Sequence, residues 1–148
     1  MISVSSDMWA QVVQEVIEGL EERGHTVTYY GPKEDSNEVD WPVVSAHAAE
    51  DVVRGDASEA IVFCWTGTGA SIAANKLKGI RAALCCDAQT ARGARKWNHA
   101  NVLALSIRTT TPGLAREILD AWFDEPWSSD EWNLRQIERI KGLENDSK

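Results

Sequence analysis

The sequence predicts an α/β fold: a Rossmann-like, doubly wound sheet of five parallel strands flanked by helices, with an extra helix at the C-terminus. Two observations predict it. Short β-branched or apolar runs alternate with helical periodicity five times along the 148 residues, and such alternation builds a parallel sheet with right-handed crossovers. The third apolar run then passes straight into a glycine-rich turn and a small-residue helix, the order in which open α/β sheets present a ligand site. Length and a 43% hydrophobic fraction suit one domain, residues 1–148, with a single sound core.

Ile2 to Ser5 is the first strand. Met8 to Arg23 carries Val12, Val13, Val16, Ile17 and Leu20 at helical spacing, and Gly24 stops it. Thr26 to Tyr30 is β-branched and aromatic, hence a strand. Gly31 to Asp40 is a polar loop, and Pro42 opens a helix that reaches Arg54 before Gly55. Ala60 to Cys64 is the third strand, with its helix at Ser71 to Leu77. Gly79 to Cys86 is the fourth strand, which would put the Cys85 and Cys86 side chains on opposite faces. Asp87 caps a helix to about Trp97. Asn101 to Leu105 is the fifth strand and Pro112 to Phe123 its helix. Ser128 to Leu143 is a charged last helix, followed by residues expected to fray. The sheet leaves this helix little to cover, so it is expected to pack on a second subunit over about residues 128–146. Its row Leu134, Ile137, Ile140 and Leu143 suits that role or ordinary self-packing.

A net charge of −8 argues against nucleic acid or an anionic membrane as the main partner. No apolar run is long enough to span a bilayer. Cys64, Cys85 and Cys86 form no disulfide framework, and with no signal-peptide pattern at Met1 a reduced, cytoplasmic setting is expected. The Cys and His residues lack ligand spacing, so no metal site and no cofactor are expected.

Chemistry concentrates at Cys64-Trp65-Thr66-Gly67-Thr68-Gly69-Ala70-Ser71. Gly67 and Gly69 allow a tight turn whose N–H groups aim at a ligand oxygen, and the following helix adds the positive end of its dipole. A thiol facing such a nest can take a proton while the nest holds the developing negative charge. On local sequence alone, Cys64 reads first as a small core residue, and as a functional thiol second.

The block from Cys64 through Lys76, with Gly79-Ile80-Arg81-Ala82-Ala83-Leu84, Asn101-Val102-Leu103-Ala104-Leu105 and Asp40-Trp41-Pro42, resembles the ribose-5-phosphate isomerase B family. That family includes the paired galactose-6-phosphate isomerase subunits. The resemblance spans nearly the whole chain and implies a metal-free aldose–ketose isomerase working through a cis-enediolate. By position it implies Cys64 as base, Thr66 as its hydroxyl partner and Gly67, Thr68, Gly69, Ala70 and Ser71 as the oxyanion turn. Asp7 would meet substrate hydroxyls, and Asn98 would reach in from the other subunit of a homodimer, which two dimers could extend to a tetramer. Thiols near helix N-termini act as bases near neutral pH in general.

The chain also departs from the family pattern. Met8 stands where the family has His after Asp, Trp65 replaces the Gly after the base, and Trp97 replaces the His before Asn98. Trp132, Asn133 and Gln136 stand where an Arg-His pair and a second Arg are usual, while Arg108 remains. The phosphate clamp is thereby weakened, since Trp and Gln cannot replace charge-assisted guanidinium contacts. Trp9, Trp41, Trp65, Trp97 and Trp132 fall at or beside site positions. Their faces suit a sugar's C–H face or an apolar group, or equally a subunit interface. The expected ligand is a small sugar or sugar phosphate, with Trp41, Trp65, Trp97, Trp132 and Arg108 beside it. A non-catalytic sugar-binding paralogue, or a partner subunit of a heteromeric isomerase, is the alternative, and epimerisation through the same enediolate a third reading. His99 suits a capping or surface role, His25 and His47 are surface residues, and Arg92 with Arg95-Lys96 reads as a small basic patch.

Overall fold

In the computed structural model, which describes residues 1–34 and 36–146, the described residues form five strands and six helices. They are β1 (Ile2–Ser6), α1 (Gln11–Glu22), β2 (Val27–Tyr30), α2 (Trp41–Arg54), β3 (Glu59–Cys64), α3 (Thr68–Asn75), β4 (Ala82–Leu84), α4 (Ala88–Asn98), β5 (Val102–Ser106), α5 (Pro112–Asp124) and α6 (Glu131–Asp146). The strands pair in parallel in the order β2-β1-β3-β5-β4. The chain moves outward from β1 to β2, then returns across β1 to β3. The switch point therefore falls between β1 and β3, where the carboxyl ends of the strands leave a crevice. The expected doubly wound parallel sheet is thus the fold observed.

Strand alternation sorts the core into two unlike halves. Ile2, Val4, Ile61, Phe63, Leu103 and Leu105 face α1, α4 and α5 and pack with Val13, Val16, Leu20, Ile118, Leu119 and Trp122. The opposite face carries Ala60, Val62, Cys64, Val102 and Ala104 against Ala48, Ala49, Ala70 and Ala74 of α2 and α3. Small side chains on both surfaces let these two helices approach the sheet closely. Cys64 is the last inward position of β3 on this small-residue face.

Several element boundaries differ from the sequence expectation for local reasons. Residues 8–10 stay outside the helix: the Ser6 hydroxyl donates to the Met8 carbonyl at 2.6 Å across a bend, and Ala10 caps α1 at φ −151°. α3 begins at Thr68 rather than Ser71, with Gly67 as its cap. β4 is an edge strand that pairs only with β5 and keeps three residues. Cys85 and Cys86 therefore lie beyond it rather than within it. Cys85 is buried and its thiol is pushed up to about 12 by that burial, while Cys86 is exposed. α6 begins at Glu131 rather than Ser128, because the Ser128 N–H donates to the Lys96 carbonyl and Asp130 accepts the Asn133 N–H. Part of the polar loop (Asp35) and the expected fraying (Ser147 and Lys148) lie outside the described residues.

α6 also has more to cover in its own chain than the sequence suggests. Ile137 is buried and the Asn133 amide donates to the Lys96 carbonyl of α4, while Leu134, Ile140 and Leu143 stay exposed. Arg95 does not belong to a surface patch. Its guanidinium pairs with Glu59 at 2.7 Å and lies 4.7 Å from the ring of the fully buried Trp122, whose indole N–H donates to Glu59 at 3.1 Å. Burial lowers the Arg95 pKa, and Glu59 opposes that shift. Glu59→Ala should therefore cost about 3 kcal/mol in urea unfolding, because it strands a desolvated guanidinium and an indole N–H. Glu138→Ala, which removes only the exposed pair with Lys141, should change stability by less than about 0.5 kcal/mol.

Candidate active site

The crevice at the switch point is built from strand ends. The β1–β3 register pairs Ser6 with Phe63, so one step further brings Asp7 level with Cys64. On the other side Cys64 pairs with Ser106 of β5. Cys64 is 4% exposed, held by the sheet on two sides and by the turn above it. The Gly67 N–H donates to Cys64 Sγ at 3.2 Å. A charged sulfur accepts such a bond more strongly than a neutral one.

Gly67 makes this turn possible. Its φ is +78°, and a Cβ built there would come within 2.9 Å of the Leu105 carbonyl carbon and 2.6 Å of Leu84 Cδ1. The left-handed conformation and the close strand contact both demand glycine. α3 then starts at once, with no side-chain cap. Its first intrahelical bond of this turn runs from the Ser71 N–H to the Gly67 carbonyl at 3.1 Å. The amides of Thr68, Gly69 and Ala70 precede that bond and have no intrahelical acceptor, so they point out of the helix end. With the dipole behind them they are placed where an anion is favoured. The Thr66 and Thr68 hydroxyls are 2.7 Å apart at the rim of the turn.

Neighbouring loops hold the turn rigid. The Trp65 carbonyl accepts from the Ser106 hydroxyl at 2.9 Å and from the Arg108 N–H at 2.9 Å, and the Ile107 N–H donates to the Cys64 carbonyl at 3.0 Å. Ser106 is buried and also accepts from the Thr109 N–H at 3.1 Å. Sequence reading missed it; its only signal is its place one step past an apolar strand, the position Cys64 occupies in β3. Arg108 is exposed at the same end of the sheet. The Trp41 ring packs against the turn, 3.0 Å from where a Gly69 Cβ would stand.

Asp7 is 7% exposed, and its Oδ1 has no hydrogen-bond partner among the described residues. Burial raises its pKa first and the charge of Glu38 adds to the rise, while main-chain N–H groups of Asp7 and Met8 oppose it. Tyr29, also missed from sequence, feels burial and the Asp7 charge and is pushed up to about 12. It remains a neutral donor to the Pro32 carbonyl at 2.8 Å. A raised native pKa means that Asp7 supports folding only below its ordinary value of 3.8 and loses that support as pH rises through the native value. Asp7→Asn should accordingly be more stable than wild type at pH 7 by about 1 kcal/mol. The gain should vanish below pH 3.8, which thermal unfolding across pH will show.

Not every predicted site residue gathers here. Asn98 ends α4, next to the start of β5, so it sits at the opposite end of the sheet from Cys64. It lines a cavity of about 490 Å³ with Lys76, Arg81, Ile140 and Leu143, which contains neither the thiol nor the glycine turn. Trp97 lies against Gly93 of its own helix and is 56% exposed. Trp132 is 64% exposed at the start of α6, beside the Arg135 guanidinium. His99 caps α4 at φ +49°, stacks on Trp127 at 4.8 Å and bonds the Ser128 carbonyl through Nε2 at 2.8 Å. It is a buried cap rather than a surface residue. His25, partly buried, stacks on Phe123, and the exposed His47 meets Tyr30 edge-on. Trp9 meets Tyr29 edge-on at 5.7 Å, behind Asp7.

Comparison with known proteins agrees with this geometry. The family model described as Ribose/Galactose Isomerase matches residues 2–142. The galactose-6-phosphate isomerase subunit LacB of Clostridium acetobutylicum is 37% identical over 148 residues, covering 99% of this chain and 85% of that one. The D-erythrulose-4-phosphate isomerase of Pectobacterium atrosepticum is 37% identical over 87% of this chain and 84% of its own. Among solved structures, Clostridium thermocellum ribose-5-phosphate isomerase B superposes with a TM-score of 0.91 at 34% identity, over 97% of both chains. A buried thiol under a glycine-capped helix at the sheet's switch point, matched along almost the whole sequence, places the chain in the Ribose/Galactose Isomerase family.

Proposed function

We propose that the protein is an aldose–ketose isomerase that works through a cis-enediolate. The observation that carries this is the Gly67 N–H at 3.2 Å from Cys64 Sγ, in a turn whose next three amides are unclaimed. The Cys64 thiolate takes the proton from the carbon beside the substrate carbonyl. The negative charge passes to the two enediolate oxygens, which the Thr68, Gly69 and Ala70 amides hold. Transfer of the hydroxyl proton from one enediolate oxygen to the other, and return of the carbon-bound proton to the neighbouring carbon, complete the isomerisation with no net gain or loss of atoms or electrons. Fixed backbone donors aimed at developing charge supply the largest share of such catalysis. Thr66, hydrogen-bonded to Thr68 at the rim of the turn, is the hydroxyl partner, and Asp7 accepts from substrate hydroxyls.

Asn98 cannot join this site within one chain. We propose a homodimer in which the Asn98 of a second copy approaches Cys64. The exposed side chains of Trp65, Ile72, Leu84 and Trp97 are the apolar surface that supports such an assembly, with pairing of dimers into a tetramer as its extension. A reduced, cytoplasmic setting suits the three free thiols.

The substrate class follows from what surrounds the nest. The relatives are named for galactose 6-phosphate, erythrulose 4-phosphate and ribose 5-phosphate, so sugar length varies among them. In this chain Trp97 and Trp132 stand where the family pattern has His and Arg, Trp41 and Trp65 add two further indoles, and Arg108 remains. We propose a small sugar or sugar phosphate whose far end meets indole faces, with the phosphate, where present, held by Arg108. The test is solvent-deuterium incorporation, followed by NMR, into tetroses, pentoses and hexoses with and without phosphate. Exchange at the carbon beside the carbonyl is expected for one chain length; silence on every compound would overturn the reading. A partner-subunit role is the second reading, favoured by the likeness to a protein named as a subunit. Activity of the purified chain alone rules it out.

A further inference from the structure

Among the described residues, three oxygens beneath α2 are buried without a hydrogen-bond partner: Ser5 Oγ, Ser45 Oγ and Asp7 Oδ1. Ser5 and Ser45 are 0% exposed and Asp7 is 7% exposed. Leaving a buried hydroxyl unpaired costs about 1–3 kcal/mol, so their grouping calls for a cause.

Their levels along the β1–α2 contact agree. Ser3 and Ser5 share one face of β1, and Asp7 follows the strand's last residue. The Ser3 hydroxyl donates to Asp51 of α2 at 2.6 Å, which identifies that face as the α2 side. α2 returns antiparallel to the strands, so earlier helix residues lie over later strand residues. Ser45 precedes Asp51 by six residues, about 9 Å along a helix. Ser5 and Asp7 lie about 7 and 13 Å beyond Ser3 along a strand. Ser45 therefore sits at a level between Ser5 and Asp7.

We propose that Ser5 and Ser45 hold one buried water against Asp7 Oδ1, and that Ser45 is thereby a positioning residue for the Asp7 carboxylate. A buried water makes about three hydrogen bonds to otherwise unsatisfied groups, which is the number of oxygens on offer. The donor count also fits. The water accepts the two hydroxyl protons and donates to Asp7, whose ionised oxygen can only accept. The carboxylate is then fixed from behind while its other oxygen stays with the main-chain N–H groups. The catalytic half of this proposal rests on the isomerase reading, in which Asp7 meets the substrate.

Two measurements test it. A crystal structure at about 1.5 Å, or better, should show one ordered water within hydrogen-bonding distance of Asp7 Oδ1 and at least one of the two hydroxyls. Kinetics should be run on wild type, Ser45→Ala, Asp7→Asn and the double variant, using deuterium exchange to read slow turnover. Ser45→Ala should lower kcat/KM about fivefold in the wild-type background and less than twofold beside Asp7→Asn, because coupled residues are not additive. An equal loss in both backgrounds would mark a packing effect and overturn the positioning role. Absence of the water, with both hydroxyls donating to main-chain carbonyls, would overturn the whole proposal. That crystallographic result needs no activity, so it is separable from a silent deuterium panel, which would overturn the isomerase reading alone.

Discussion

Cys64→Ala is expected to lower turnover of the protein's own substrate by about 10³-fold while leaving a folded chain. The rate loss has the size expected when a positioned general base is removed. Residual rate would come from the nest, whose amides belong to Thr68, Gly69 and Ala70 and do not depend on the thiol. The fold should survive because alanine already fills this face: Ala60, Ala70, Ala74 and Ala104 are the neighbours in the same cluster. Loss of one small buried side-chain group costs about 1 kcal/mol. Deuterium exchange into the substrate should disappear with turnover, since both need proton removal from carbon. Unchanged exchange in Cys64→Ala would transfer the base to another residue and sink this assignment.

Gly67→Ala should be strongly damaging for the addition of a single methyl group. The left-handed φ of +78° costs a non-glycine residue about 1–2 kcal/mol. Crowding adds to that. Leu84 Cδ1, at 2.6 Å from the new Cβ, is a side-chain end that can turn away, but the Leu105 carbonyl carbon and oxygen at 2.9 and 3.0 Å are sheet backbone. Overpacking of this kind costs a further ~1–3 kcal/mol, giving about 3 kcal/mol in urea unfolding. Gly79→Ala separates the two contributions. Its φ is +86° with no atom within 4 Å of the new Cβ, so it should lose only about 1 kcal/mol. Equal losses at the two sites would show that crowding at Gly67 is absent. In Gly67→Ala the sulfur-to-amide bond and the nest are displaced together, so turnover should fall even where folding is retained at low temperature.

The order of elements was legible because each apolar run is short and each helix has a punctuating Gly, Pro or Asp. Asp87 illustrates this: it accepts the Thr90 N–H as a cap, as read from sequence. Cys64, Thr66 and Gly67 were legible because a turn that needs glycine leaves a local mark. What stayed hidden depends on contacts distant in sequence. Arg95 looked like part of a basic stretch until Glu59 and Trp122 enclosed it. Cys85 looked like a strand residue, but β4 is an edge strand with one partner and ends at Leu84. The start of α3 was placed three residues late, since Thr68 and Gly69 are poor helix formers in isolation and only the close sheet contact commits them. Ser106, Tyr29, Ser5 and Ser45 bear on the site through three-dimensional neighbours alone.

The unlike halves of the core have a practical consequence for anyone wishing to alter this protein. The bulky half beneath α1, α4 and α5 holds most of the large buried side chains, among them Phe63, Leu103, Leu105, Ile118 and Trp122, and no group assigned to the reaction. The alanine-rich half carries the thiol and packs the helix that Gly67 caps. Robustness and reactivity are thus housed on opposite sides of one thin partition. Random changes in the first compartment will be felt as melting temperature, and those in the second as substrate choice. Directed evolution toward a new sugar is best confined to the alanine side, with reserves of durability accumulated beforehand on the other.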